Sequence, residues 1–210
     1  MYIAIDSSNQ HRYTGMVSGG LENLYDFYEE LERIFSKTHI HPPFHWSDIT
    51  RKNRNKCRKQ IENLVNKSQI NFNIFIHKPS LLIPKKRIFL ELLPIAISQN
   101  LDGWLKKISG IVIFEVDDDF NFKGCSTNHF ISQTLKRIIP TLCDKPIKII
   151  QINNGVKATI KQKKGVVDLS FRITDIKNSK GIQIVDIVMG YFLQRTCKFK
   201  KNRLFVRKVC

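Results

Sequence analysis

Three acidic positions offer the clearest chemistry in this sequence, because their neighbours make a charge there costly. Asp6 ends the apolar run Tyr2-Ile3-Ala4-Ile5. Asp117, Asp118 and Asp119 end a second run, Ile111-Val112-Ile113-Phe114-Glu115-Val116. Asp186 lies within Gly181-Ile182-Gln183-Ile184-Val185-Asp186-Ile187-Val188-Met189-Gly190. That run is apolar on nearly every side of a helix, and such a helix is buried. An ionised carboxylate in these surroundings is strongly disfavoured unless it is paired or binds a cation. Carboxylates ending central strands share one edge of a sheet, where open α/β sheets place their ligands. With a third from a packed helix they would form a self-repelling cluster suited to Mg²⁺ or Mn²⁺, hard cations that prefer oxygen. Two such ions about 4 Å apart would align a water and neutralise the leaving oxygen in phosphodiester cleavage. The expected metal ligands are therefore Asp6, Asp117 and Asp186. The plain alternatives are a turn-capping role for the strand-end residues and a buried salt bridge from Asp186 to a Lys or Arg. Which of Asp117–Asp119 faces the cluster stays open, since successive strand residues point to opposite faces.

The elements that must position these groups alternate. Residues 2–6 read as a central strand, and residues 12–18 as its hairpin partner after a short polar link. Leu24, Tyr28, Leu31 and Phe35 give residues 21–37 a helical period. Residues 39–49 form a loop. Residues 51–67 are a second amphipathic helix, with Cys57, Ile61, Leu64 and Val65 on its apolar face. Strict alternation makes 69–77 a strand. Residues 81–100 are helical, with Pro84 and Pro94 bending or interrupting the run. Strands at 111–116, 147–152 and 166–173 and helices at 126–139 and 181–195 complete the order β, β, α, α, β, α, β, α, β, β, α. No repeat or linker divides the chain, so a single domain spanning 1–210 is expected, a mixed sheet flanked by helices.

The charge balance names a partner class. Thirty-five Lys and Arg face 18 Asp and Glu in 210 residues, a net charge of +17. Such a surplus repels itself unless a polyanion balances it, and nucleic acid is the commonest. Three basic clusters could hold one. Arg51, Lys52, Arg54, Lys56 and Arg58 open the second amphipathic helix. Lys157, Lys161, Lys163 and Lys164 fall in a stretch read as a mobile loop. Lys200, Lys201 and Arg203 lie in a basic C-terminal tail, where interleaved Phe199 and Phe205 suit single strands or splayed bases. The bland reading of each run is a solvated face. No apolar stretch is long enough for a membrane span, and the N-terminus has no signal-peptide pattern. An intracellular, cytoplasmic protein without a membrane partner is expected. Five widely spaced cysteines without a C-x-x-C pair argue against a zinc ribbon or a secreted disulfide framework. His39, His41 and His45 as a transition-metal site would lack a completing ligand.

Taken together, the motifs resemble the family called domain of unknown function 3800. Its members look like ribonuclease H-fold proteins that open on a strand running into Asp-Glu-Ser-Gly. They close on a helix carrying Gly-Leu-Gln-Leu-Ala-Asp followed by Gly. Here the opening is Tyr2-Ile3-Ala4-Ile5-Asp6-Ser7-Ser8 and the closing motif is Gly181-Ile182-Gln183-Ile184-Val185-Asp186, followed by Gly190. The family's intermediate motif, a His followed by Ser-Asp, resembles His45-Trp46-Ser47-Asp48, and a mid-chain strand ending in Asp matches Val116-Asp117. The resemblance spans nearly the whole chain in order, and the closing helix is its specific part. It implies a ribonuclease H-like α/β fold and a metal-dependent nuclease. Asp6, Asp48, Asp117 and Asp186 would be the catalytic or metal-binding carboxylates, with Gln183 near the site. His45 would act as general base or orient Asp48. Ser7 stands where the family usually has Glu, which leaves room for a catalytically degenerate nucleic-acid adaptor. A strand-transfer enzyme of integrase or resolvase type would use the same carboxylates.

Overall fold

The computed structural model describes residues 1–8, 12–77, 84–118, 126–142, 148–162, 165–194, 198–200 and 203–209. Lys163, Lys164, Lys201 and Asp119 lie outside the described residues, as do Cys125, Cys143, Cys197 and Cys210.

Eight strands build one mixed sheet. In chain order they are β1 (Tyr2–Ser8), β2 (Tyr13–Gly19), β3 (Asn71–Ile76), β4 (Gly110–Asp117), β5 (Lys148–Ile152), β6 (Gly155–Gln162), β7 (Gly165–Thr174) and β8 (Leu204–Lys208). Their spatial order is β5-β6-β7-β4-β1-β2-β3-β8. β1, β2 and β3 form an antiparallel meander. β4 runs parallel to β1, and β7 parallel to β4. The helices are α1 (Leu21–Ser36), α2 (Arg51–Lys67), α3 (Lys85–Arg87), α4 (Leu93–Leu105), α5 (Thr127–Leu142) and α6 (Lys180–Leu193). A π-helical turn, Ile88–Leu92, joins α3 to α4. Pro94, which has no N–H to give, sits in the first turn of α4 just after it.

Strand alternation sorts the core into two layers. Ile3, Ile5, Val112, Phe114 and Val116 face α4 and α5. Tyr2, Ala4 and Val17 face α1, α2 and α6. α6 lies across β1, β2 and β4. Its approach is close because Gly181 has no side chain. A Cβ there would stand 2.5 Å from the Tyr2 ring and 2.8 Å from Ala4 Cβ.

Two strands correct the sequence reading. Residues 157–162, expected in a mobile loop, belong to β6, whose Val156, Ala158 and Ile160 are buried while Lys157 and Lys161 are exposed. The expected tail contributes β8, which pairs parallel with β3 from Phe72↔Leu204 to Ile76↔Lys208. It is an edge strand, buried only at Leu204.

Candidate functional site: a buried carboxylate cluster under the last helix

Asp6 and Asp117 meet at the C-terminal ends of two parallel neighbours. The register Ala4↔Glu115 and Ile5↔Val116 brings the following residues, Asp6 and Asp117, side by side. Both belong to the strand phase that faces α6, whereas Val116 faces α4 and α5. This separates Asp117 from Asp118; Asp119 lies outside the described residues. Asp117 is buried. Asp118 is exposed, and its carbonyl accepts from Thr127 Oγ1 at 3.2 Å.

Asp6 is 3% exposed. Burial pushes its carboxyl well above the usual carboxylate range. The negative charges of Asp186 and Asp117 push the same way, as does a side-chain hydrogen bond with Asp117. The backbone N–H of Ser7, donating to Asp6 Oδ1 at 2.6 Å, opposes them. Asp186 is 7% exposed in the middle of α6. Burial raises its pKa too. The Trp46 N–H, which donates to its Oδ2 at 2.6 Å, and the nearby His45 lower it. Among the described residues, neither Asp6 nor Asp186 forms an ion pair with a Lys or Arg. The alternative of a buried salt bridge at Asp186 is therefore not what the structure contains. His45 Nε2 lies 3.8 Å from Asp186 Oδ2.

The segment before α2 is held against α6 by side chains of that helix. Gln183 Oε1 accepts from the Phe44 N–H and from Tyr28 Oη, both at 2.7 Å. Its amide donates to the Ile176 carbonyl at 2.9 Å. Gln183 is thus a buried tie between loops. Asp186 holds the next stretch through Trp46. The indole packs edge-on against Tyr191 with ring centroids 4.8 Å apart, and it occupies the space left by Gly190. These contacts deliver His45 to Asp186. Asp48 ends the 3-10 turn Trp46–Asp48 with a side chain 76% exposed. It accepts from Ser47 Oγ at 2.9 Å and lies 3.7 Å from His45 Nδ1. Asp48 is close enough for its charge to raise the Asp186 pKa, but it stands at the rim.

Glu115 shares the strand phase of Asp117 and was not singled out from the sequence. Tyr2 Oη and Ser179 Oγ both donate to its Oε2. Its position one alternation before Asp117 was the available signal. It serves to anchor the start of α6, since Ser179 Oγ also accepts from the Ile182 N–H.

The basic residues divide. Arg51, Lys52 and Lys56 are exposed along α2, and Arg58 is half-buried. Arg54 differs: its guanidinium stacks 4.0 Å from the Trp46 ring centroid and donates to the Trp46 carbonyl. Lys161 is exposed on β6. Lys200 is exposed, and its N–H donates to Asn66 Oδ1 at 2.7 Å. Arg203 is half-buried, and its carbonyl accepts from the Phe72 N–H.

Among the described residues, no three His, Cys, Asp or Glu side chains close around one point as they stand. No helix there is long and apolar enough to cross a membrane. The chain matches no family model, no curated protein and no solved structure.

Proposed function

We propose that this chain is a metal-dependent nuclease of ribonuclease H-like fold, acting on RNA or DNA. The observation that carries the reading is the burial of Asp6 beside Asp117 at the ends of β1 and β4, with buried Asp186 on the helix packed over those strands and, among the described residues, no Lys or Arg ion pair to Asp6 or Asp186. Two charges so placed repel strongly, and proteins tolerate this by protonating a member or binding a cation. The order β3-β2-β1-β4-β7, an antiparallel meander followed by two strands parallel to the first, supports the ribonuclease H-like assignment. So does the resemblance to domain of unknown function 3800.

The donor set fits the cation. All three groups are carboxylates, the oxygen ligands that Mg²⁺ and Mn²⁺ prefer. Asp6, Asp117 and Asp186 would hold it, with Asp48 at the rim. When bound, one or two such ions supply a polarised phosphoryl oxygen and neutralise charge on the leaving group. The protein's own part is positioning. β1 and β4 fix Asp6 and Asp117, α6 fixes Asp186, and the Trp46 N–H holds the Asp186 carboxylate in orientation. His45, beside Asp186 and half-exposed, is placed to move a proton between the site and solvent. The exposed cations Arg51, Lys52 and Lys56 offset the repulsion between an acidic centre and a polyanion.

A degenerate adaptor is the second reading, and Ser7 motivates it. Strand alternation bears against it. Residue 7 belongs to the phase of Ile3 and Ile5, pointing to the opposite face of the sheet from Asp6. A Ser there takes no ligand from the sheet face that carries Asp6 and Asp117.

The test is incubation of labelled single-stranded, duplex, hybrid and branched substrates with Mg²⁺ or Mn²⁺. Cleavage that Asp186→Asn abolishes supports the nuclease. Asn keeps an acceptor for the Trp46 N–H, so folding is preserved. Salt-sensitive binding without cleavage of any substrate overturns it in favour of the adaptor, and a joined product indicates strand transfer.

A further inference from the structure

The two faces of the β4-β7-β6-β5 half of the sheet are treated differently. On one face Val112, Phe114, Leu169, Phe171, Ala158 and Ile160 are buried in the core layer that contains α4 and α5. The opposite face, the one that carries Asp117, lies open beyond α6. Its rows follow from the register. Ile113 neighbours Ser170, then Lys157, then Ile150. Ile111 neighbours Asp168, then Thr159, then Lys148. These residues and Arg172 line a groove of about 370 Å³. Ile111 is 64% exposed, an unusual state for an isoleucine in mid-sheet.

The exposed charge around the groove is mostly positive. Lys148, Lys157, Lys161 and Arg172 are all exposed. Asp168 is the acidic residue among the groove's lining, and Thr159 Oγ1 donates to it at 2.6 Å. Between the cations stand Ile111, Ile113 and Ile150. Ile113 and Asp117 share one strand and one face, four residues or about 13 Å apart. The groove therefore lies on the sheet face that carries Asp117.

We infer that this open sheet face binds single-stranded nucleic acid, with phosphates on Lys148, Lys157, Lys161 and Arg172 and bases against Ile111, Ile113 and Ile150. The inference rests on the nucleic-acid part of the proposed function and names the substrate form. A duplex would meet the cations with its phosphates alone and leave the isoleucines in water. An unstacked strand covers both. The buried Asp117 lies farther along the same face of β4.

The test needs no cleavage and is run on the full chain in EDTA. Affinity for a labelled single-stranded oligonucleotide and for its duplex is measured by anisotropy across a salt series. The variants are Lys148→Gln/Lys157→Gln and, on the opposite face, Lys136→Gln/Arg137→Gln, both exposed on α5 and equal in lost charge. The groove variant is expected to lower the log–log salt slope for the single strand by about 1.4, at about 0.7 per lost phosphate contact. The α5 variant is expected to change it far less. Ile113→Ser is expected to weaken single-strand binding without changing the slope. Equal effects from both double variants, or tighter binding of duplex, overturn the inference. So does a wild-type dimer that the groove variant converts to monomer, which would make this face a contact between copies. Because this binding assay contains no metal, it is independent of the Mg²⁺ and Mn²⁺ cleavage assay: binding here with no cleavage there refutes the nuclease and leaves the groove standing.

Discussion

The side chain of Asp186 accepts the backbone N–H of Trp46 at 2.6 Å, tying the core of the last helix to the segment that carries His45 and Asp48. One carboxylate oxygen is thus committed to holding a loop, and the proposed cation would use the other. Asp186→Ala should therefore do two kinds of damage and Asp186→Asn one. Alanine leaves a buried N–H without its partner, at a cost of about 1–3 kcal/mol. The expected outcome is a lower melting temperature for Asp186→Ala than for Asp186→Asn, with nuclease activity lost in both.

Asp6 gives a pH dependence whose sign is fixed. Its folded pKa lies above the unfolded one, so the native state binds more protons between those two values. Stability from this group is complete below the unfolded carboxylate pKa and is lost as pH rises through the folded one. In EDTA at pH 7, Asp6→Asn should be more stable than the wild type, and the difference should close as pH falls toward about 4. Thermal melts across that range measure it. A wild type more stable than Asp6→Asn at pH 7 would show that the charge is compensated.

A cation that relieves this repulsion should stabilise the fold. At a Mg²⁺ or Mn²⁺ concentration a hundredfold above its dissociation constant, the expected gain is about 2.7 kcal/mol. The gain should be absent in Asp6→Asn and shrink at low pH, where protons compete for the same oxygens. Calorimetry with and without metal reads both effects.

Gly190 faces the Trp46 indole so closely that a Cβ would stand 2.1 Å from Cδ2. Gly190→Ala should cost about 1–3 kcal/mol through overpacking and should displace His45 and Asp48 with the indole. Gly103→Ala on α4 is the control: nothing lies within 4 Å of its Cβ, and alanine should be neutral or stabilising there. If both substitutions behave alike, the Trp46 seat has no special role.

Arg54 should separate from its basic neighbours on α2. Arg54→Ala removes a stacked guanidinium and a bond to the Trp46 carbonyl, and a stability loss of about 1–2 kcal/mol is expected. Lys52→Ala and Lys56→Ala touch exposed residues, so melting temperatures should hold while nucleic-acid binding loses salt dependence. Unchanged salt dependence removes α2 from the interface.

Much of this arrangement was legible in the sequence because burial leaves a residue pattern. Apolar runs ending in Asp placed Asp6 and Asp117, and an all-round apolar helix placed Asp186. β6 was hidden because its lysines read as a charge run, although Val156, Ala158 and Ile160 alternate with them and are buried. β8 was hidden because an edge strand with one buried residue keeps the composition of a tail. Gln183 and Arg54 looked like site residues by position, but Gln183 reaches Phe44 far away in the chain, and Ile176 and Trp46 are met across loops rather than along a helix. No helical or strand period carries such contacts. Asp117 could not be chosen over Asp118 until the phase of β4 against β1 was known.

The carboxylates of the cluster come from three separated elements, β1, β4 and α6. The three can therefore come together only once α6 has left the ribosome. Until α6 docks, Asp6 remains open to water, and the proposed cation would lack the Asp186 oxygens. Nascent chains that stop short of α6 should accordingly gain no stability from metal.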